Sequence, residues 1–419
     1  MIAELMRLVA RSLWHHRFPT MLLMAAIALG SGLVMAVFAI VRQSEEAFTA
    51  ERQGFDAVLS ARGSQLQLVM NAVFHLDVSP GNVPWKMYET LKANPTVELA
   101  IPYALGDNFK GFRIIGTSEE LFTKFRFRDG GAYEVEGEGR FFDVQRREVV
   151  VGSFAARKAG LKLGDVIQPY HGLTYDPNAK HDEEYVVVGI LKPTNSPADR
   201  VIWMPIEGVF RMEGHVLRGD GEEFRAEAGA AVPDEHKEVS AVMLKLRNPA
   251  SGFFLQQTIN RQGTVATMAY PVGNVMADLF DRFGWMTRVL RLVAFLVVVV
   301  GAVSLAASLY SGLEARRREF AILRAVGAGR GFLLAVVVAE SALIAGLGSL
   351  LGFAVYGAIV LSVAEVLREA TGVVLTLATY HPVLLWTCPA VTLMGGLAGL
   401  LPGLAAYRTD VATNLIPTT

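Results

Sequence analysis

Residues 312–332 read GLEARRREFAILRAVGAGRGF, and the architecture of the whole chain turns on them. The stretch lies between two long apolar runs and holds five arginines: Arg316, Arg317, Arg318, Arg324 and Arg330. Leu313, Phe320, Ala321, Leu323, Ala325 and Val326 are threaded among them in an apolar pattern that suits a helix. A basic amphipathic helix between two membrane spans has three roles open to it. It can anchor topology, lie on the lipid surface, or serve as a handle for a cytoplasmic partner.

Composition sets the frame. The 419 residues are 52% hydrophobic, with mean hydropathy +0.36. That is apolar for a soluble protein and too polar for a chain made only of spans, so a mixed membrane and globular architecture is expected. The formal net charge of −1 carries no basic excess that would point to nucleic acid. The single cysteine, Cys388, sits in an apolar run, so the polar middle must be held by an ordinary core and not by disulfides. No G-x-x-x-x-G-K-[ST] pattern occurs in these residues, so they do not hold ATP by that device.

Taken in order, residues 1–17 carry Ile2, Leu5, Met6, Leu8, Val9 and Leu13 with Arg7, Arg11 and His15 interleaved. This fits a helix on the inner membrane face, and equally a plain basic flank. Residues 18–41 are uncharged down to Ile40-Val41 and long enough to cross a bilayer core of about 30 Å. Val37-Phe38-Ala39 would also suit a signal-peptidase site, but the run exceeds a signal core and a retained span is expected. Residues 42–284 contain no run of span length. Strand-like segments recur there, at Glu148–Val151, Tyr185–Leu191, Val201–Met204 and Val239–Leu246, with helix-like pieces at Pro84–Ala93 and Gly152–Ala159. Dense turn signals separate them, and the whole reads as an α+β domain with its own core.

Three further spans follow, at 285–313, 331–363 and 383–406, joined by the Arg-rich segment 314–330 and a loop 364–382, with a tail 407–419. The third is longer than a bilayer needs. Small residues recur at four-residue spacing in Gly348 and Gly352, and in Gly395, Gly399 and Gly403, which permits close helix approach. Pro402 is expected to kink the fourth span. Arg7, Arg11, Arg17, the five loop arginines and Arg408 fall on one side of a four-span arrangement, whereas the loop 364–382 has only Arg368. The basic side is cytoplasmic, so the amino end, the Arg-rich segment and the tail lie inside and the α+β domain outside.

With that layout, the segment beginning at Glu314 resembles the cytoplasmic loop of ABC transporter permeases of the family typified by the macrolide exporter MacB, the lipoprotein-releasing LolC and LolE, and the division protein FtsX. The family pattern R-x-x-E-[IF]-A-[IL]-L-[RK]-A-[VIL]-G-A is matched by Arg316 and by the unbroken run Glu319, Phe320, Ala321, Ile322, Leu323, Arg324, Ala325, Val326, Gly327 and Ala328. Gly152-x-x-x-Ala156 followed by GLKLGD at 160–165 is similar, more loosely, to the external domain of such proteins. The resemblance implies a fold of four transmembrane helices with an α+β extracytoplasmic domain inserted between the first and second. It implies a multi-pass permease of the bacterial inner membrane, itself non-catalytic, working as a homodimer or heterodimer with a cytoplasmic ABC ATPase subunit that binds ATP and magnesium. Residues 314–330 would then be the coupling helix, with Arg316, Glu319, Phe320, Leu323, Arg324, Val326 and Gly327 meeting the ATPase: apolar residues in a groove, arginines at its acidic rim. ATPase motion would be passed to the outer domain by mechanotransmission, for export or extraction of a substrate with or without a periplasmic adaptor. The alternative is an FtsX-like regulator that transmits motion to an external partner such as a cell-wall hydrolase.

Other candidates carry a functional and a structural reading side by side. Glu340 falls inside the third span, where a carboxylate is costly and marks either a mechanism or a hydrogen bond to another helix, near Ser341 or Thr392. Gly348, Gly352, Gly395 and Gly399 are expected at helix-packing seams. The outer domain gathers His75, His171, His181, His215 and His236, near Asp77 and the Asp182-Glu183-Glu184 run. His171 and His181 are the candidates for a metal site, against scattered surface histidines, since the spacing follows no familiar ligand motif. Ser60–Asp77 suits a core helix or a relay from the first span, and Leu191–Glu207 a loop returning into a strand. No catalytic constellation is present in the sequence.

Overall fold

The computed structural model describes residues 2–48, 54–127, 130–172, 175–212, 216–219, 223–225, 231–263, 265–282, 284–371, 374–377 and 381–407. Among them, four helices are long and apolar enough to cross a membrane, over Arg17–Glu46, Gly284–Gly312, Arg330–Glu369 and Pro382–Tyr407. The chain divides into two compact units. One holds Met1–Gln43, Gly284–Ala364 and Leu375–Thr419; the other holds Ser44–Phe283 and Glu365–Val374.

In the helical unit, the amino-terminal helix Ile2–His15 leads into the first span helix, Arg17–Phe48. Val37, Phe38 and Ala39 lie within that helix. The second span helix, Gly284–Ala325, runs unbroken through the Arg-rich segment instead of stopping at a loop. The third, Arg330–Thr371, is of the same length. His381 opens the fourth, its ring accepting from the Val383 N–H with Pro382 at the first helical position, a favoured place for proline. That span is broken at Gly399 into Pro382–Ala398 and Leu400–Tyr407. The break lies three residues before Pro402, where proline removes a backbone donor and its ring crowds the preceding turn.

The glycine seams close contacts inside this unit. A Cβ on Gly348 would lie 2.9 Å from Ile27 Cβ, and one on Gly352 would overlap Ser31 Oγ, so the third span rides directly on the first. A Cβ on Gly395 would overlap Ala345 Cβ, and one on Gly399 would overlap Ser341 Oγ, so the fourth span packs on the third in the same way. Without a hydrophobic drive between helices in lipid, this close backbone approach supplies van der Waals contact that larger side chains would prevent.

The inserted unit is a mixed sheet covered on both faces. Its strands are β1 (Ala57–Ala61), β2 (Val97–Phe109), β3 (Phe112–Thr117), β4 (Glu148–Val151), β5 (Val166–Ile167), β6 (Tyr170–His171), β7 (Tyr185–Ile190), β8 (Ile202–Pro205), β9 (Ala241–Leu246) and β10 (Ala266–Ala269). The order is β10-β1-β9-β2-β3-β8-β4-β7-β5, with β6 pairing on β2. The pairs β3–β8 and β4–β7 are parallel and the others antiparallel. Strand alternation sorts residues between two cores. Leu59, Val242 and Leu244 join Tyr88, Leu91 and Phe210 on one face. Val58, Met243 and Trp203 join Leu68, Phe122 and Met276 on the other. Both sets of alternating residues in β9 are therefore buried, apart from the half-buried Lys245, so this strand is interior.

The sequence readings inside the domain find their places. Ser60–Asp77 is the end of β1 and a helix, Gln65–Ala72, whose first turn is capped by Ser64 accepting from the Gln67 N–H. Its Leu68, Val69 and Ala72 are core residues. In Leu191–Glu207, Asp199 is buried and accepts from the Thr194 and Asn195 N–H groups and the Thr194 hydroxyl, which closes the loop ahead of β8. Burial raises its carboxyl above the usual carboxylate range, and these hydrogen bonds oppose the shift. Within the same unit, Lys158 forms an ion pair with Glu369, and the Arg368 guanidinium lies 5.6 Å from the Phe154 ring centre.

Candidate functional site

The Arg-rich segment gets its shape from how its helix ends. The Gly327 N–H donates to Arg324 O and the Ala328 N–H reaches back to Leu323 O, both at 3.0 Å. Gly327 takes φ +105°, a conformation open to glycine because it has no Cβ. This pair of bonds satisfies carbonyls left over at the helix end and turns the chain. Gly329 then accepts from the Phe332 and Leu333 N–H groups, opening the third span helix. The matched residues thus divide between the end of one span and the reversal into the next.

Their faces differ from the sequence expectation. Phe320 is buried and packs with Leu333, Val337 and Ala406, with Leu323 beside it. These two side chains fix the segment to the third and fourth spans and do not stand outward with Val326 as a docking set. The cause is helical phase: Glu319, Ile322 and Val326, at i, i+3 and i+7, are exposed, with Ala325 and Gly327 beside them. Val326 is 83% exposed and Ile322 47%. Arg324 is half-buried, and the side chain of Arg316 lies outside the described residues. Arg330, at the start of the third span, has its guanidinium 5.9 Å from the Tyr407 ring centre.

Glu340 is 3% exposed. Its Oε1 accepts a 2.8 Å hydrogen bond from the hydroxyl of Ser12, in the amino-terminal helix. Ser341 and Thr392, expected as neighbours, instead turn their hydroxyls onto carbonyls of their own helices. The amino-terminal helix is more than a surface segment: Val9 is fully buried, and Leu13 packs on the Leu305, Ile344 and Ala345 cluster. Nothing in the sequence singled out Ser12; a lone hydroxyl in an amphipathic run gives no signal until its partner is known.

The histidines separate. His75 is held at φ +56° with its ring edge-on to Trp203. His236 stacks on Phe224, and His215 lies outside the described residues. His171 and His181 come together on Asp107, at 3.5 Å and 3.3 Å from its Oδ1. His181 is buried, not at the surface, and Asp107 is 1% exposed. Asp107 was missed, although an acid directly after Gly106 in the apolar run Ile101–Leu105 was a visible irregularity.

Comparison with known proteins completes the picture. The model of the MacB-like periplasmic core domain matches residues 20–260, and that of the FtsX-like permease C-terminal region matches residues 291–411. An uncharacterized ABC transporter permease of Methanocaldococcus jannaschii is 25% identical over 297 residues, covering 70% of this chain and 66% of that protein. The macrolide export ATP-binding/permease protein MacB of Hyphomonas neptunium is 23% identical over 435 aligned positions, covering 99% of this chain and 61% of that protein. The chain therefore spans less than two thirds of the length of these relatives. The periplasmic region of MacB from Actinobacillus actinomycetemcomitans aligns at TM-score 0.33 and 11% identity, over 55% of this chain and 94% of that one. With four span-length helices, a mixed α/β domain inserted between the first two, and family models over both parts, this chain belongs to the ABC transporter permeases of the MacB/FtsX family.

Proposed function

We propose that the chain is the membrane subunit of an ABC machine in the bacterial inner membrane, coupling ATP hydrolysis by a separate cytoplasmic ATPase to movement of its inserted domain. In this reading the inserted domain is periplasmic, two permease copies (identical or paired with a relative) work together, and the ATPase holds the nucleotide and magnesium. The observation that carries it is the outward face of Glu319, Ile322 and Val326 at the end of the 42-residue second span helix. A helix that continues without a break from span to handle moves as one lever, because bending it would cost backbone hydrogen bonds. Phe320 and Leu323 are the inner side of that lever and Ile322 and Val326 its contact side; apolar anchors with a charged neighbour suit a groove on a partner.

The substrate-moving reading is preferred to the regulatory one because the domain model that matches residues 20–260 is MacB-like, and one relative is named for macrolide export. Co-expression with a candidate cytoplasmic ABC ATPase subunit tests the proposal. Wild-type permease should retain the ATPase through purification, and Glu319→Lys with Val326→Asp should lose it. Retention by the double variant would remove the outward face from the coupling.

A further inference from the structure

Strand β2 changes register between Leu105 and Asp107, a bulge that re-aims the side chains after it. Strand β6 pairs there, with His171 directly opposite Asp107. The chain then returns on itself: the His171 N–H donates to Ala179 O at 2.7 Å, and the His181 N–H to Pro169 O at 2.9 Å. Each arm of this turn therefore delivers one imidazole to the same carboxylate. The Gly172 N–H donates to Gly106 O and the Asn108 amide to Gly172 O, so the backbone around the three residues is fixed from both sides.

The geometry points to a binding site for a divalent transition-metal ion, of the zinc class, made by Asp107 Oδ1, His171 Nδ1 and His181 Nε2. A tetrahedral ion with bonds of about 2.0–2.1 Å separates its ligand atoms by about 3.4 Å. The two imidazole nitrogens lie 3.3 Å and 3.5 Å from the Asp107 oxygen, and all three atoms fall within 4.8 Å of one another. As N–H···O hydrogen bonds both distances are long; as ligand separations they fit. The rings meet at 78°, so they do not stack on each other. Two imidazoles and one carboxylate form a donor set that suits zinc. Asp107 and His181 are buried, whereas the His171 side chain is 59% exposed, which leaves the fourth position toward solvent on that side. The Tyr185 phenol is held above its usual range by burial first, with Glu183 and Asp107 among the charges that add to the shift. A bound ion would pin the turn to β2 and leave one coordination position for water or an external ligand.

The test uses full-length protein in detergent, stripped with a chelator and titrated with Zn2+ against a competing chromophoric chelator. One ion per chain is expected. His171→Ala, at an exposed position that does not endanger the fold, should bind at least tenfold more weakly, and Asp107→Asn likewise. His236→Ala should match the wild type. Zn2+ should raise the thermal unfolding midpoint of the wild type and of His236→Ala, but not that of His171→Ala. Absence of one-to-one binding, or wild-type affinity in His171→Ala, overturns the site; the second result means adventitious zinc held elsewhere.

Discussion

The hydroxyl of Ser12 donates a hydrogen bond of 2.8 Å to Glu340 Oε1 across 328 residues of sequence. The contact joins the amino-terminal helix to the third span. The parallel packing that sets Gly348 beside Ile27 and Gly352 beside Ser31 brings Glu340 level with Pro19, near the start of the first span helix. Removing the hydroxyl takes a partner from a buried group, which costs on the order of 1–3 kcal/mol. Ser12→Ala should therefore lower the thermal unfolding midpoint in detergent. Glu340→Gln, which keeps an acceptor oxygen, should lower it less than Glu340→Leu. Normal ATPase stimulation and transport in Glu340→Gln would leave the residue with a structural role alone.

Phe320 and Val326 lie six residues apart in the matched loop and should fail in different ways. Phe320 fills a buried cluster with Leu333, Val337 and Ala406, and phenylalanine-to-alanine changes in cores cost about 3–5 kcal/mol. Phe320→Ala should destabilise the helical unit, read by thermal unfolding. Val326, at 83% exposure, has little to lose by truncation. Val326→Asp should keep wild-type stability and lose the ATPase on co-purification. If both variants lose stability equally, the outward face assigned to this segment is wrong.

Glycine spacing in the spans suits either a seam between two copies or a seam within one. The close approaches of Gly395 to Ala345 and Gly399 to Ser341 place these residues in the internal seam. Overpacking there costs about 1–3 kcal/mol, so Gly395→Leu should lower the unfolding midpoint. Light scattering in detergent should show the oligomeric state unchanged. Dissociation of an oligomer at unchanged stability would assign these glycines to a contact between copies instead.

His75 gives the inserted domain an acid sensitivity with a definite sign. Although the residue as a whole is only half-buried, its ring Nδ1 is shut off from water. Burial first, and then the Arg113 charge, lower its pKa from 6.5 to about 3. The folded domain thus keeps the ring neutral where the unfolded chain would protonate it. Its contribution is fully present above about pH 6.5. It is lost as pH falls toward 3, by up to about 1.4 kcal/mol per pH unit. His75→Asn, which tolerates the left-handed backbone, should flatten the fall in unfolding midpoint between pH 6 and pH 4 relative to wild type. Parallel pH curves for the two proteins would show that protonation of His75 is not coupled to folding.

Four spans, the inserted α/β domain and the family could be read without coordinates, because each rests on local order. A run of apolar residues long enough for a bilayer, an arginine excess on one side, and a contiguous pattern such as Glu319–Ala328 survive as one-dimensional signals. So did Glu148–Val151, a β-branched run within a short strand. Face assignment within the loop was not available, since helical phase alone does not say which side the third and fourth spans cover; only their packing turned Phe320 inward and Val326 outward. Ser12 with Glu340, and Asp107 with His171 and His181, were equally out of reach. Each set joins residues distant in sequence, through helix packing in one case and a bulge with a paired turn in the other. The chain's order determined which elements exist and which belong to the membrane. The tertiary structure decided which polar groups share a site, because burial forces such groups to find partners and only three-dimensional packing says which ones they meet.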